Sequence, residues 1–99
     1  MLVSEKVYRL TSKIPKGKVV TYKQIAEKAD IKNPRLVGFI LHKNKDPKNI
    51  PCHRVVRSDG ILASNYAFGE KKEQRRKLEE EGIKFEKDKI NLKDSSFPL

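Results

Sequence analysis

Ninety-nine residues allow one domain with one modest core and no separate cofactor-binding half. Charged and hydrophobic residues each make up 36% of the chain, so the core must be economical and the surface densely charged. The formal net charge of +10 favours a polyanionic partner, nucleic acid first among them. A single cysteine excludes an internal disulfide framework and fits a reducing compartment. One cysteine and two histidines cannot furnish a Cys₄ or Cys₂His₂ zinc set, so neither a metal nor a cofactor is expected. No apolar run approaches membrane-spanning length and the N-terminus has no secretory apolar core, so a soluble, cytoplasmic domain with no membrane partner is expected. A monomer is expected as well. In a prokaryote it would lie near the nucleoid, in a eukaryote in the nucleus.

Val7, Leu10 and Ile14 fall at helical spacing, predicting a helix over 4–14 with Ser4 as its N-cap. Pro15-Lys16-Gly17 stops it, and Lys18-Val19-Val20 reads as a short strand or extended arm. Thr21 and Gln24 have the spacing of a capping box opening a helix that runs to about Ala29, with Ile25, Ala26 and Ala29 facing inward. Asn33 caps a further helix with Pro34 at its first position, extending to about Lys43 with Leu36, Val37, Ile40 and Leu41 on one side. Two short helices, a tight turn and basic residues around them describe a helix-turn-helix; without the charge an ordinary αα-hairpin would fit equally.

A polar loop, residues 44–49, leads into Ile50-Pro51-Cys52-His53-Arg54-Val55-Val56. This stretch sets the only cysteine beside one of the two histidines, between apolar flanks that carry both into a core. A thiol has a pKa of about 8.5 and attacks strongly only as thiolate, and an adjacent imidazole is the commonest base for it. Cys52 fits that description, and it also fits a small buried hydrophobe beside a chance histidine. Ser58-Asp59-Gly60 supplies a turn, and residues 63–69 form a loop anchored by Tyr66 and Phe68. Glu70 to Glu81 is a charged helix with Leu78 as its one strong apolar contact and Gly82 as its C′ residue. Ile83, Phe85, Ile90 and Leu92 around Lys87-Asp88 predict a small hairpin or wing, followed by a frayed tail after about residue 93.

Pro51-Cys52-His53-Arg54-Val55 resembles the active-site motif of the O6-alkylguanine-DNA alkyltransferases, the methylated-DNA–protein-cysteine methyltransferases. The resemblance runs from about Val7 to Phe85. It takes in Ile14-Pro15-Lys16-Gly17, Thr21-Tyr22, Arg35-Leu36-Val37-Gly38, Asn44 and Glu81-Gly82. It implies a mainly α fold with small β elements, a winged helix-turn-helix-like alkyltransferase catalytic domain spanning 1–99. The chain is expected to match the C-terminal catalytic domain of those relatives without their N-terminal ribonuclease H-like domain.

The implied activity is direct reversal of DNA damage. The partner is double-stranded DNA containing O6-alkylguanine, with O4 of thymine as a second candidate target. A lesion inside a stacked duplex must be rotated out before a buried sulfur can reach it. By resemblance, Cys52 is the nucleophile, His53 takes its proton through a water, and Glu81 orients the imidazole. Asn44 braces the turn before the active-site segment. Tyr22 donates to the guanine ring, while backbone carbonyls of Cys52 and Val55 accept from its exocyclic amine and Ala67 stands where a pocket-wall N–H meets O6. Arg35 matches the arginine that fills the vacated stack. Thr21 and Gly38 join it on the DNA side, in a minor-groove binding mode. Leu36 and Phe39 are bulkier than many relatives show there. Arg54 is expected to pair with a carboxylate beneath the site, and His42 to lie at the surface.

Two other readings compete. A non-enzymatic alkyltransferase-like lesion binder would share the arginine and tyrosine but replace the cysteine. A winged-helix DNA-binding regulator would need only the helix-turn-helix and the charge.

Overall fold

The fold, in a computed structural model that describes residues 2–62 and 71–99, is mainly α with two small sheets. Helix α1 (Val3–Ser12) buries Val7 and Thr11. Its first turn closes at Leu2, whose carbonyl accepts from Lys6 N at 3.1 Å, and no side chain caps it. Ser4 therefore sits inside the first turn rather than at the cap expected for it.

Strand β1 (Val20–Thr21) pairs in parallel with β2 (Val55–Val56), Val20 opposite Val55 and Thr21 opposite Val56. Successive strand side chains point to opposite faces, and here that alternation divides the core. Val20 and Val55 enter a helical cluster with Val7, Ile25, Val37 and Leu41, while Val19 and Val56 enter a second one with Leu62, Leu78, Ile83 and Ile90.

Between the two strands run α2 (Tyr22–Lys28) and α3 (Pro34–His42). The capping box of α2 is complete: Gln24 N donates to Thr21 Oγ1 at 3.1 Å, and Thr21 N donates to Gln24 Oε1 at 2.8 Å. Asn33 Oδ1 accepts from Arg35 N at 3.0 Å, and Pro34 occupies the first helical position. Ile25, Ala26 and Ala29 are buried, as expected. On α3 the buried stripe is Val37 and Leu41, with Ile40 partly buried beside it. Leu36, expected on that side, is 43% exposed. One helical row suffices to pack α3 against α1 and α2, and Leu36 falls about 100° off it.

Helix α4 (Lys71–Glu80) buries Leu78 and Gln74. Gly82, at φ +94°, ends it in a Schellman arrangement, with Ile83 N donating to Leu78 O and Gly82 N to Glu79 O, each at 3.0 Å. The wing is the antiparallel pair β3 (Phe85–Glu86) and β4 (Lys89–Ile90). Arg75 clips it to α4, its guanidinium 4.4 Å from the Phe85 ring centroid and donating to Lys87 O at 2.8 Å.

The end of the chain is docked, which corrects the expectation of a frayed tail. Helix α5 (Leu92–Ser95) delivers it to the free edge of Val19. Val19 N donates to Ser95 O at 2.9 Å, and Phe97 N donates to Val19 O at 2.8 Å. Gln24 Nε2 adds a bond to Phe97 O at 3.2 Å, and Phe97 and Leu99 pack on the helical cluster. Satisfied backbone groups and apolar burial outweigh the entropy that would otherwise fray it.

Two glycines give a graded test. A Cβ on Gly60 would stand 2.6 Å from Ile90 O on top of a φ of +83°, whereas one on Gly82 meets nothing within 4 Å. Gly82→Ala should cost ~1–2 kcal/mol in urea unfolding, from left-handed strain alone. Gly60→Ala should cost clearly more, because backbone of the wing must also shift; equal losses would contradict this packing.

Candidate functional site

Pro51 leads into a 3₁₀ turn, Cys52–Arg54, which hands the chain straight to β2. The turn sets Cys52 into the helical cluster as a free thiol, 4% exposed. Burial pushes the thiol above its ordinary range. A hydrogen bond from the Asn44 side chain, the Lys77 charge and a backbone N–H pull it back without prevailing. The resting sulfur is therefore a thiol at neutral pH, and it needs a base to become a nucleophile.

Next to it, His53 is also buried, and burial holds its imidazole below the ordinary range against the opposing pull of Glu81. The ring is therefore neutral at pH 7. His53 Nε2 lies 3.0 Å from Glu81 Oε2. Burial also acts against ionisation of Glu81, but hydrogen bonds from Arg54 and His53 more than offset it, and the carboxyl titrates below its usual range. An ionised carboxylate only accepts, so Nε2 carries the imidazole proton and Nδ1 keeps a lone pair. Nδ1 is buried and has no hydrogen-bond partner among the described residues.

Arg54 holds Glu81 in place. Its Nε donates to Glu81 Oε1 at 2.9 Å and its Nη2 to Glu81 Oε2 at 2.6 Å, a bidentate fork. Its Nη1 donates to Ile14 O at 2.7 Å, so one guanidinium joins the segment after α1, the 3₁₀ turn and the end of α4. Arg54 thus has the carboxylate partner expected beneath the site, and that partner is the one His53 uses.

Asn44 follows α3 and is buried, donating to Ile50 O at 2.8 Å and accepting from Asp46 N at 2.9 Å. It pins both ends of the loop that enters the 3₁₀ turn. Tyr22 opens α2 and packs on the helical cluster. Burial, and then the nearby Cys52, push its phenol up to about 12, so the hydroxyl remains a donor at neutral pH.

Cys52, His53, Glu81, Asn44 and Tyr22 are thus gathered around the turn, and Arg35 lies apart on the exposed face of α3. Gly38, on the same helix, is half-buried. Thr21 is only 7% exposed and its hydroxyl is engaged in the cap of α2. Its place in the fold is the cap, not the surface expected for a DNA contact. Ala67 lies outside the described residues.

The sequence reading passes over three contributors. Gln74 is buried on α4 and donates to His53 O at 3.0 Å and to Val55 O at 3.3 Å, so the Val55 carbonyl assigned to substrate already holds one bond. Tyr8 donates to Ile40 O at 2.8 Å, and burial, then the charge on Cys52, raise its pKa. Lys77 acts electrostatically on both Cys52 and His53. With Lys16, Pro47, Lys48, Glu80, His53 and Glu81 it lines a cleft of ≈ 520 Å³ on the side of the His53–Glu81 pair. Among the described residues, no group of three or more His, Cys, Asp or Glu side chains is placed to hold a metal, and no helix is long and apolar enough to cross a membrane.

The Arg54–Glu81 fork has a stability signature. Both side chains are largely buried, so Arg54→Ala should cost ~2–3 kcal/mol at neutral pH, less than a fully buried pair because some solvent reaches both. A depressed folded-state carboxyl contributes stability above its unfolded value of about 4.3, lost as pH falls through the folded value. The parent should therefore lose more stability than Arg54→Ala between about pH 5 and pH 3 in urea titrations. Parallel acid limbs would show that Arg54 does not hold the Glu81 charge.

Comparison with known proteins agrees with the geometry. Residues 3–83 match the family model described as 6-O-methylguanine DNA methyltransferase, DNA binding domain. A methylated-DNA–protein-cysteine methyltransferase from Saccharolobus solfataricus is 47% identical over 78 residues, 79% of this chain and 49% of that protein. The chain spans 33% to 49% of the length of the curated relatives it matches. Among solved structures, S. pombe Atl1 in complex with damaged DNA containing O6-carboxymethylguanine superposes with a TM-score of 0.86 at 29% identity, covering 98% of this chain and 95% of that one. The O6-methylguanine-DNA methyltransferase of Pyrococcus kodakaraensis strain KOD1 superposes with a TM-score of 0.72 at 36% identity, covering 84% of this chain and 47% of that one. With four fifths of its length under one family model and the family's cysteine set in a charged, histidine-bearing turn, the chain belongs to the 6-O-methylguanine DNA methyltransferase family.

Proposed function

We propose that this chain takes an alkyl group from O6 of guanine in duplex DNA onto Cys52 and acts once per molecule, as a monomer and without a cofactor. The observation that carries the reading is a buried thiol beside a neutral imidazole whose tautomer Glu81 sets. The protonated thiol passes its proton through a water to His53 Nδ1, and the new imidazolium is stabilised by the Glu81 charge. The thiolate attacks the alkyl carbon, the S–C bond forms, the C–O6 bond breaks and its electron pair goes to the purine. Tyr22, still protonated, donates to a ring nitrogen as that charge develops. The purine ends neutral by taking up a proton equivalent to the one the thiol gave. Nothing in this cycle cleaves the thioether, so turnover stops at one.

The names of the relatives support transfer, and the charge supports the partner: +10 on a small domain suits a phosphate backbone. The nucleotide would leave the stack with Arg35 filling its place. A second reading, lesion binding without transfer, draws support from the close superposition on Atl1 bound to damaged DNA. Retention of Cys52 with a base beside it favours transfer.

Incubation with duplex carrying O6-methylguanine, followed by intact-mass and peptide analysis, should show one added methyl per protein, on Cys52. Cys52→Ala should bind the duplex and gain no methyl. An unmodified wild-type protein that still binds would leave the lesion-binding reading. Arg35→Ala should slow repair of duplex at least ~10-fold while leaving reaction with free O6-benzylguanine intact, since the free base needs no flipping. Equal losses on both substrates would remove Arg35 from that role.

A further inference from the structure

The outer face of α3 exposes more apolar surface than its packing explains. Phe39 is 69% exposed in the middle of the helix and Leu36 is 43% exposed one turn before it. No rotation of α3 could bury them, because Val37 and Leu41 already face the core from the opposite side. The chemistry around them selects the occupant. From Ile31 to Lys45 the chain carries Lys32, Arg35, Lys43 and Lys45 and not one acidic residue. A second copy would bring like charge against like, whereas a nucleic acid offers phosphates to the cations and base faces to the ring.

Arg35 and Phe39 are four residues apart and so share one face, ~6 Å apart along the helix axis. That is about two base-pair rises of ~3.4 Å. We propose that Phe39, flanked by Leu36, is an apolar wedge that enters duplex DNA at a base step close to the one Arg35 occupies. The proposal deepens the function inferred above and rests on Arg35 facing DNA in the same binding event. Side chains that unstack a step in this way make extrusion of a neighbouring nucleotide easier. Phe39 would therefore set how readily this chain opens a well-stacked lesion, a specificity that cysteine chemistry does not supply.

The chain has no tryptophan, so Phe39→Trp creates a single indole, excitable apart from the three tyrosines, at the proposed point of contact. Its fluorescence should be quenched, and shielded from acrylamide, when duplex with O6-methylguanine is added. Phe39→Ala, whose melting should match the parent because the ring is exposed, should bind that duplex ~5- to 100-fold more weakly. The slope of log K against log salt should stay unchanged, since no phosphate contact is lost. A 2-aminopurine next to the lesion should brighten less with Phe39→Ala than with the parent, and transfer to free O6-benzylguanine should be equal for both. Unaltered affinity in Phe39→Ala, or indole emission from Phe39→Trp that is indifferent to DNA, would overturn the wedge. So would a DNA-free dimer, seen by sedimentation, that Phe39→Ala dissolves. Failure of alkyl transfer with quenching retained would remove the enzyme reading and leave the wedge standing.

Discussion

One guanidinium carries the site. Arg54 spends two N–H groups on Glu81 and a third on Ile14 O, so it fixes the far end of α4 against the segment that ends α1. Glu81 alone, partly buried, would tend to protonate; the fork keeps it charged. A charged Glu81 in turn dictates which imidazole nitrogen carries hydrogen, and leaves the other with the lone pair that the proposed transfer needs. The order of dependence is Arg54, then Glu81, then His53, and in the proposed transfer the sulfur. Adjacent positions in the sequence, His53 and Arg54, thus meet through a residue 27 or 28 positions away.

The fold serves this arrangement with little material. Four valines on and beside a two-residue ladder divide the apolar interior, Val20 and Val55 toward the helices that hold Cys52 and Tyr22, Val19 and Val56 toward α4 and the wing. Gln74 reaches from α4 to the carbonyls of His53 and Val55, tying the 3₁₀ turn to the helix that Glu81 follows. On the opposite side, Gln24 serves the cap of α2 and the docked C-terminal segment together, which steadies the helix start bearing Tyr22. The same small body presents Arg35 and Phe39 outward on α3, while Val37 and Leu41 of that helix pack in the cluster that holds Cys52.

Local chemistry is legible in the sequence wherever partners are a few residues apart. Thr21 with Gln24, Asn33 with Pro34, and Gly82 after the charged helix each announce a helix end through contacts within one turn. The motif around Cys52 and the distant Glu81 are legible through family likeness, because spacing alone does not bring positions 53 and 81 together. What stays hidden depends on long-range geometry. Gln74 looks like one more polar residue on a charged helix until its carbonyl partners, 19 and 21 positions back, are in place. The tail reads as a frayed end because its anchor, Val19, lies far upstream and pairs with Ser96 only in the fold. Leu36 reads as inward because apolar character normally marks the core side; here the outward face of α3 keeps apolar residues as well.

The most direct test of this dependence is the state of the His53 ring in solution. In protein labelled with ¹⁵N at the imidazole nitrogens, a pH titration followed by NMR reports the protonation of each nitrogen separately. His53 should be neutral through pH 7, with the proton on Nε2 and Nδ1 unprotonated, and should titrate below the ordinary histidine value of about 6.5. A ring that is doubly protonated at neutral pH, or one whose hydrogen sits on Nδ1, would contradict the account, because Cys52 would then have no base beside it.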